Sequence, residues 1–201
     1  MTYYKILGAD RMPIFGGKGQ YPEPGVWAPR VDTVRPCSSG YHLATIGDLS
    51  YWLGREGAEI WKAEGDGEPI PGPNCGVFHR VRLVSRVGAV DYLKFTLACV
   101  TEALPKYLQV SGDQNLASAV AAAKTGDYAT ASGKVLVRSL IDGSEEVRHA
   151  ARLAYGFRKV LTEQQSASRF QGVWLCAEAA RKLLGATAAM NQGETLLKMC
   201  F

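Results

Sequence analysis

The amino-acid sequence changes character near residue 95, and this change most restricts the folds that the chain can adopt. Of the nine prolines, eight lie before that point, as do three of the four tryptophans, whereas long alanine-containing stretches follow it. Proline interrupts helices, while alanine is the strongest helix former. We therefore predict an α+β fold: a small α+β domain with a small mixed sheet and a short helix over residues 1–95, followed by an all-α, alanine-rich helical domain over residues 96–201.

Composition is typical of a globular cytoplasmic protein. The chain has 201 residues, of which 47% are hydrophobic, and this is enough for one good core or two small ones. No apolar run approaches the roughly 20 residues of a membrane helix, and the first residues lack the apolar run of a signal peptide. Five widely spaced cysteines indicate reduced thiols. We expect no membrane contact, and a net charge of +4 is too small to indicate nucleic-acid binding.

Three stretches of the first domain have the features of strands. Residues 3–7 and 59–64 are predicted as strands, and residues 77–87 form the clearest strand pattern in the chain. The period of two places three arginines on one face of that last strand: Arg80, Arg82 and Arg86. Such an arginine ridge can hold phosphate or an acidic partner through charge-assisted hydrogen bonds. A solvated outer face is the commoner alternative.

A long irregular loop is predicted between the first strand and the next. The segments 16–19 and 21–25 are rich in glycine and proline, which stop regular structure. Loops of this length in compact domains are often functional. The alternative is a proline-rich segment that covers the core with Tyr21 and Trp27.

The stretch over residues 37–54 is predicted to be a turn, a strand and a short helix. Residues 41–44 are the strand, and Thr45 begins the helix through a capping box. Gly54 is the predicted stop of that helix. His42 lies on the strand and is not explained by packing, so it is the residue of this stretch that is a candidate for a direct role, while a purely structural role is the commoner alternative.

Two Cys/His pairs supply the ligand types of a zinc site: Cys37 with His42 and Cys75 with His79. Neither pair has the C-x2-C spacing of a zinc knuckle, and His79 falls on the apolar face of its predicted strand. Buried thiols and a core histidine are therefore the preferred interpretation, and no metal is predicted. The glycine-containing segments 16–19 and 126–134 also lack the spacing of nucleotide-binding loops, and no cofactor is predicted.

The second domain is predicted to consist of short amphipathic helices. Pro105 interrupts the first helix, Asp113 and Asp127 are candidate N-caps, Ser144 begins a longer helix and Gly185 closes the next one. One helix face is basic: Arg148, Arg152, Arg158 and Lys159. Because no DNA-binding motif accompanies this face, we interpret it as solvated.

Several segments occur in an order that resembles a known family. The segments are GGKG at 16–19, PCSSGYHL at 36–43, LSYWLG at 49–54, IWKAE at 60–64 and RVRLVSR at 80–86. They resemble an uncharacterised domain family of actinobacterial and phage proteins, which is often followed by an alanine-rich helical C-terminal region. The resemblance covers about residues 3–108. It implies a phage or mobile-element setting inside the bacterial host and no particular chemistry.

These features favour a non-enzymatic binding or interaction protein with a protein partner. Inhibition of a host system and association with a virion are the two roles that fit such a setting. The predicted binding residues are Tyr41, His42, Arg80, Arg82 and Arg86. The oligomeric state and the identity of the partner are left open.

An enzyme is the alternative hypothesis. A histidine on a strand, a short helix with an aromatic residue and a strand that ends in glutamate occur in an order similar to that of ADP-ribosyltransferases, which use NAD. In that case His42 would bind the nicotinamide ribose, Tyr51 would stack and Glu64 would stabilise the developing positive charge. We favour the binding protein.

Overall fold

The fold is taken from a computed structural model, which describes residues 2–53, 57–135, 144–163, 166–185 and 187–200. It confirms the α+β class, with strands in the first part of the chain and helices after them. Gly54, the predicted stop of the short helix, lies outside the described residues. Among the described residues, no helix is both long enough and apolar enough to span a membrane.

Two compact units divide the chain. The first unit contains residues 1–90 together with residues 196–201, and the second contains residues 91–195. The sequence predicted a division at residue 95 with all later residues in the helical part. The last residues belong to the first unit because Cys200 forms an isolated antiparallel bridge with Val90.

Six strands are described in the first unit: β1 (Tyr3–Leu7), β2 (Tyr41–Leu43), β3 (Glu59–Gly65), β4 (Ile70–Gly72), β5 (Cys75–Phe78) and β6 (Val81–Ala89). They form two three-stranded antiparallel sheets, in the orders β1-β3-β6 and β2-β5-β4, where one mixed sheet was expected. Tyr4 and Ala44 exchange two backbone hydrogen bonds of 2.8 and 2.9 Å. This pair joins β1 to the residue that follows β2.

The strand predicted over residues 77–87 is two strands that belong to different sheets. β5 ends at Phe78 and β6 begins at Val81. The loop residue Val31 binds the chain at the break between the two strands. Its N–H donates to the backbone carbonyl of His79 at 2.9 Å, and its carbonyl lies 2.8 Å from His79 Nδ1. The prediction of one strand is wrong because the alternation of apolar residues continues across a change of sheet, which the period of two does not register.

The short helix after β2 is a 3-10 helix over Ile46–Trp52. Thr45 precedes it as predicted, but its hydroxyl donates to the Asp48 carboxylate at 2.6 Å and caps no backbone N–H. The reciprocal capping box is therefore not formed, since that motif requires the hydroxyl to accept from the backbone.

The core of the first unit joins strand and loop residues. Its buried members include Leu7, Leu43, Trp61 and Phe78 from strands and Tyr21 from the long loop. Tyr21 thus covers the core, as one of the two interpretations of the loop proposed.

Six α-helices follow: α1 (Tyr92–Ser111), α2 (Asn115–Lys124), α3 (Tyr128–Lys134), α4 (Glu145–Thr162), α5 (Ser166–Leu184) and α6 (Thr187–Lys198). Two predicted caps are confirmed, because Asp127 accepts from the N–H of Thr130 at 3.0 Å and Ser144 from that of Val147 at 3.4 Å. The predicted interruption at Pro105 is wrong, since α1 continues through it. Proline removes one helical hydrogen bond, and the buried residues on both sides keep the helix in place.

Asp113 and Gly185 also mark helix ends. Asp113 accepts from the backbone N–H of Asn115 at 2.9 Å, although Gln114 occupies the N-cap position of α2. Gly185 has a φ of +86°, and its N–H donates to the carbonyl of Arg181 at 2.9 Å. Gly185 is therefore a left-handed C-terminal stop, as predicted.

Two glycines define the contact between α4 and α5. A Cβ atom on Gly156 would lie 2.8 Å from the carbonyl oxygen of Gly172, and a Cβ atom on Gly172 would lie 2.7 Å from that of Gly156. Real Cβ atoms do not approach so closely, so the two helix backbones touch at this point. Close contact without an intervening side chain requires glycine on both helices.

Candidate ligand-binding cavity

The three arginines of the predicted ridge are paired with carboxylates, and only two of them lie on β6, because Arg80 lies in the break between β5 and β6. Arg80 lies 3.1 Å from Asp66, Arg82 lies 2.7 Å from Glu64, and Arg86 lies 2.8 Å from Glu59. The register of the sheet explains one of these pairs, since Glu64 and Arg82 are directly opposite each other on β3 and β6. Neighbouring carboxylates thus largely compensate the charge of the three arginines. The ridge is therefore a weaker site for an acidic partner than the sequence alone suggested.

Trp27 from the long loop lies against the same arginines. The guanidinium carbons of Arg80 and Arg82 are 4.8 and 5.0 Å from the centroid of its ring. Trp27 also forms a bridge with Arg82 at the edge of β6. Trp27 was expected, in one interpretation of the loop, to cover the core together with Tyr21, but it lies outside the core cluster and its ring contacts are with these two arginines.

A cavity of about 710 Å³ lies in the first unit. Its lining comes from residues 4–6 of β1, from loop residues 13–18 and from residues 37–42 at the start of β2. Phe15 and Trp52 line it as an edge-to-face pair with ring centroids 5.5 Å apart. Both the size and the mixture of apolar walls with a few polar groups are typical of ligand sites.

Lys5 places a positive charge in this cavity. Its Nζ donates to the carbonyl of His42 at 3.0 Å and lies 5.5 Å from the centroid of the Tyr21 ring. No carboxylate of the described residues pairs with it, in contrast to the arginines of the ridge. Burial lowers the pKa of Lys5 to about 8, and the nearby Cys75 thiol opposes this shift. At pH 7 the side chain is mostly an ammonium, with a larger neutral fraction than an ordinary lysine has.

His42 lines the cavity and holds a turn. Its Nε2 accepts a hydrogen bond of 3.0 Å from the backbone N–H of Cys37, so the ring proton is on Nδ1. Burial and the charge of Lys5 lower the pKa of His42, and a hydrogen bond to the backbone of Gly40 partly offsets this. A lowered pKa keeps the ring neutral at pH 7. The main contact of His42 is therefore with its own chain.

Two tyrosines form an aromatic wall of the cavity. The rings of Tyr21 and Tyr41 meet edge to face with centroids 5.8 Å apart. The Tyr41 hydroxyl donates to the carbonyl of Pro29 at 2.8 Å. Burial raises the pKa of both phenols, so both rings are neutral. Tyr41 and His42, which the sequence predicted as binding residues, therefore share one cavity with Lys5.

The four residues of the rejected zinc alternative have different surroundings. No group of three or more His, Cys, Asp or Glu side chains among the described residues is arranged to hold a metal ion. Cys37 is exposed, Cys75 is buried on β5, and His79 Nδ1 is engaged with Val31.

The residues proposed for NAD chemistry are also separated by their contacts. Of the three, His42 lines the cavity, whereas Tyr51 and Glu64 are not among its described lining residues. Glu64 pairs with Arg82 in the β1-β3-β6 sheet, whereas His42 lies in the β2-β5-β4 sheet.

Comparison with known proteins yields no match to a family model, to a curated protein or to a solved structure. The cavity is therefore interpreted from its own residues. Lys5 is the residue that sequence reasoning missed. The alternation in YYKIL could not single it out, because both faces of β1 are at least half-buried: Tyr4 and Ile6 are buried on one face, and Tyr3 and Lys5 are half-buried on the other.

Proposed function

We propose that the protein is a non-enzymatic binding protein whose first unit takes a carboxylate group of a protein partner into the cavity beside Lys5. One observation carries the proposal: Lys5 presents an ammonium to the cavity, and its only hydrogen-bond acceptor among the described residues is the carbonyl of His42 at 3.0 Å. A carboxylate would complete the charge and the hydrogen bonding of Nζ.

The walls of the cavity favour such a ligand over a free inorganic ion. Tyr21 and Tyr41 offer ring surface next to Nζ, and Phe15 with Trp52 extends this surface. An ion pair is stronger in a partly buried cavity than in water, because there is less solvent to screen it. A carboxylate attached to an apolar or aromatic group therefore fits the lining best.

The resemblance to phage and actinobacterial proteins adds a setting to this proposal. A phage-encoded inhibitor of a host system and a virion-associated protein would both act by binding a protein. The carboxylate can come from the end of a polypeptide or from an acidic side chain, and both sources present the same chemistry to Lys5.

Matched small probes test the proposal. N-acetylphenylalanine carries the carboxylate of a chain end, N-acetylaspartic acid amide carries that of a side chain, and N-acetylphenylalaninamide carries neither. We expect titration calorimetry or amide chemical shifts to show binding of at least one carboxylate and not of the amide. Lys5→Met should abolish binding, while Arg82→Gln, which removes a compensated charge, should leave it unchanged.

Three results would overturn the proposal: equal binding of the acid and its amide, binding that survives in Lys5→Met, or no binding of either carboxylate. NAD is included as a further probe. Binding of NAD that is lost in His42→Ala, together with its hydrolysis, would favour the ADP-ribosyltransferase alternative instead.

A further inference from the structure

We infer that Lys5 is also a covalent site, at which the side-chain amine forms an imine with an aldehyde that enters the cavity. The inference rests on the proposed function, since the aldehyde group would occupy the place of the carboxylate. It goes beyond that function because a bond is made to the protein. The chemical class of ligand is an aromatic or apolar aldehyde.

The position of Nζ supports this reaction. Lys5 is a half-buried residue on β1, and its side chain lines a cavity large enough for a small aromatic molecule. Its hydrogen bond goes to a backbone carbonyl, the oxygen of His42. A neutral amine keeps that bond with one N–H and retains its lone pair for attack on a carbonyl carbon.

Other lysines are held differently. Lys94 pairs with Asp91 at 3.2 Å, Lys106 pairs with Glu146 at 3.2 Å, and Lys159 donates to the side chain of Gln171 at 3.0 Å. A carboxylate partner stabilises the protonated form, which has no lone pair to attack with. Lys5 lacks such a partner among the described residues, and its burial lowers its pKa to about 8, so its amine is available near neutral pH.

The reaction balances without an oxidant or a reductant. The lone pair of Nζ forms a bond to the carbonyl carbon, and the electrons of the C=O double bond move to oxygen, which takes up a proton. Nitrogen loses one proton to solvent, which gives a neutral carbinolamine. Its hydroxyl then takes up a second proton and leaves as water, and nitrogen gives its remaining proton to solvent. One aldehyde and one amine thus yield one imine and one water. Tyr21 and Tyr41 would contact the aromatic ring of the ligand.

Reductive trapping tests the inference. The full-length protein is mixed with limiting benzaldehyde and sodium cyanoborohydride, which reduces an imine to a stable secondary amine, and the labelled lysine is identified by peptide mass spectrometry. We expect Lys5 to be labelled at least tenfold faster than Lys62, an exposed lysine on β3. The preference for Lys5 over Lys62 should be greatest near pH 7 and should shrink as the pH rises towards 10, since the pKa of Lys5 is about 8 and the reference pKa of a lysine is about 10.4.

Two variants keep the test independent of folding. Lys5→Arg retains the positive charge but forms no stable imine, so it should bind N-acetylphenylalanine and lose the fast label. Lys62→Arg should keep the fast label. Circular dichroism checks that both variants are folded.

The outcomes also separate this inference from the proposed function. Carboxylate binding without preferential labelling of Lys5 would overturn the imine and leave the binding proposal standing. Preferential labelling without carboxylate binding would overturn the binding proposal alone. Labelling that follows the exposure of each lysine, including Lys18 at the cavity, would also overturn the covalent inference.

Discussion

The backbone N–H of Cys37 donates to Nε2 of His42 at 3.0 Å, and Cys37 adopts a left-handed φ of +61°. A residue other than glycine is strained in this region, so the hydrogen bond that the histidine accepts helps to hold a turn that the backbone alone disfavours. The turn forms one side of the cavity. His42 thereby contributes to the shape of the site through Cys37.

His42→Phe should therefore lower the free energy of unfolding, by about 1 kcal/mol, because it removes a hydrogen bond to a strained turn. Chemical denaturation at pH 7 measures this change. Tyr128→Phe, a change at an exposed aromatic residue of α3, serves as the control and should have a smaller effect. An unchanged or increased stability of His42→Phe would contradict the structural role of the ring.

The same histidine should make stability depend on pH. Burial and the charge of Lys5 lower the pKa of His42 in the folded state, so the unfolded chain binds more protons as the pH falls below about 7. The contribution of His42 to stability is present above the unfolded pKa and is lost as the pH falls through the folded pKa. We expect the free energy of unfolding to fall between about pH 7 and pH 5, and this component to be absent in His42→Phe. Identical pH profiles for the two proteins would contradict the lowered pKa.

Lys5 should destabilise the folded state, because its charge is half-buried in the cavity. Lys5→Met replaces a half-buried cation with an apolar chain, and we expect it to raise the free energy of unfolding at pH 7 by about 1 kcal/mol. The folded pKa of about 8 lies below that of the unfolded chain, so the wild-type protein should gain stability as the pH rises from about 8 to 10, and the advantage of the variant should shrink. Lys62→Met is the matched control and should shift stability by less than about 0.5 kcal/mol. A destabilised Lys5→Met would show that the ammonium contributes to folding.

The glycine contact between α4 and α5 predicts a large difference between two similar substitutions. Gly156→Ala places a methyl group against the backbone of Gly172 and should destabilise the protein by more than about 2 kcal/mol. Gly133→Ala in α3 meets nothing within 4 Å and should stabilise the protein by about 0.5 kcal/mol, since alanine is the better helix former. Thermal unfolding of both variants measures the contrast. Equal effects would mean that the two helices are not in backbone contact.

The cysteines should differ in reactivity. Cys37 is exposed, whereas Cys99 and Cys176 are buried, and burial raises the pKa of both buried thiols. Only the thiolate reacts readily, so iodoacetamide should modify Cys37 first in the native protein and the buried pair only after denaturation. Mass spectrometry of the native and the denatured protein locates the label. Early modification of Cys176 in the native state would contradict the buried environment between α4 and α5.

Local sequence patterns correctly predicted the elements whose determinants lie within a few residues of one another. β1 has the predicted bounds, and the starts of α3 and α4 follow their Asp127 and Ser144 caps, because a capping side chain and its N–H donors are three residues apart. The division of residues 77–87 into two strands could not be predicted in this way. It depends on Val31, which is distant in sequence and contacts the chain at His79.

The candidate site was only partly predictable for the same reason. The three arginines of the ridge have a clear pattern, but their carboxylate partners lie on β3 and in the turn after it, and pairing across strands is not visible in the spacing. Lys5 has no motif around it, and its importance comes from loop residues that close over β1. Whether a charged side chain can bind a ligand therefore depends on the residues around it in the fold, which the sequence pattern does not show.

The contact between Gly156 and Gly172 also bears on how this chain can vary during evolution. Alanine-rich helices tolerate many exchanges, so their sequences drift and soon carry little record of common ancestry. A descendant that keeps this helix pairing must retain two glycines, one on each helix, since any side chain would separate the backbones. We expect this glycine pair to persist among distant homologues after most of the surrounding alanines have been replaced.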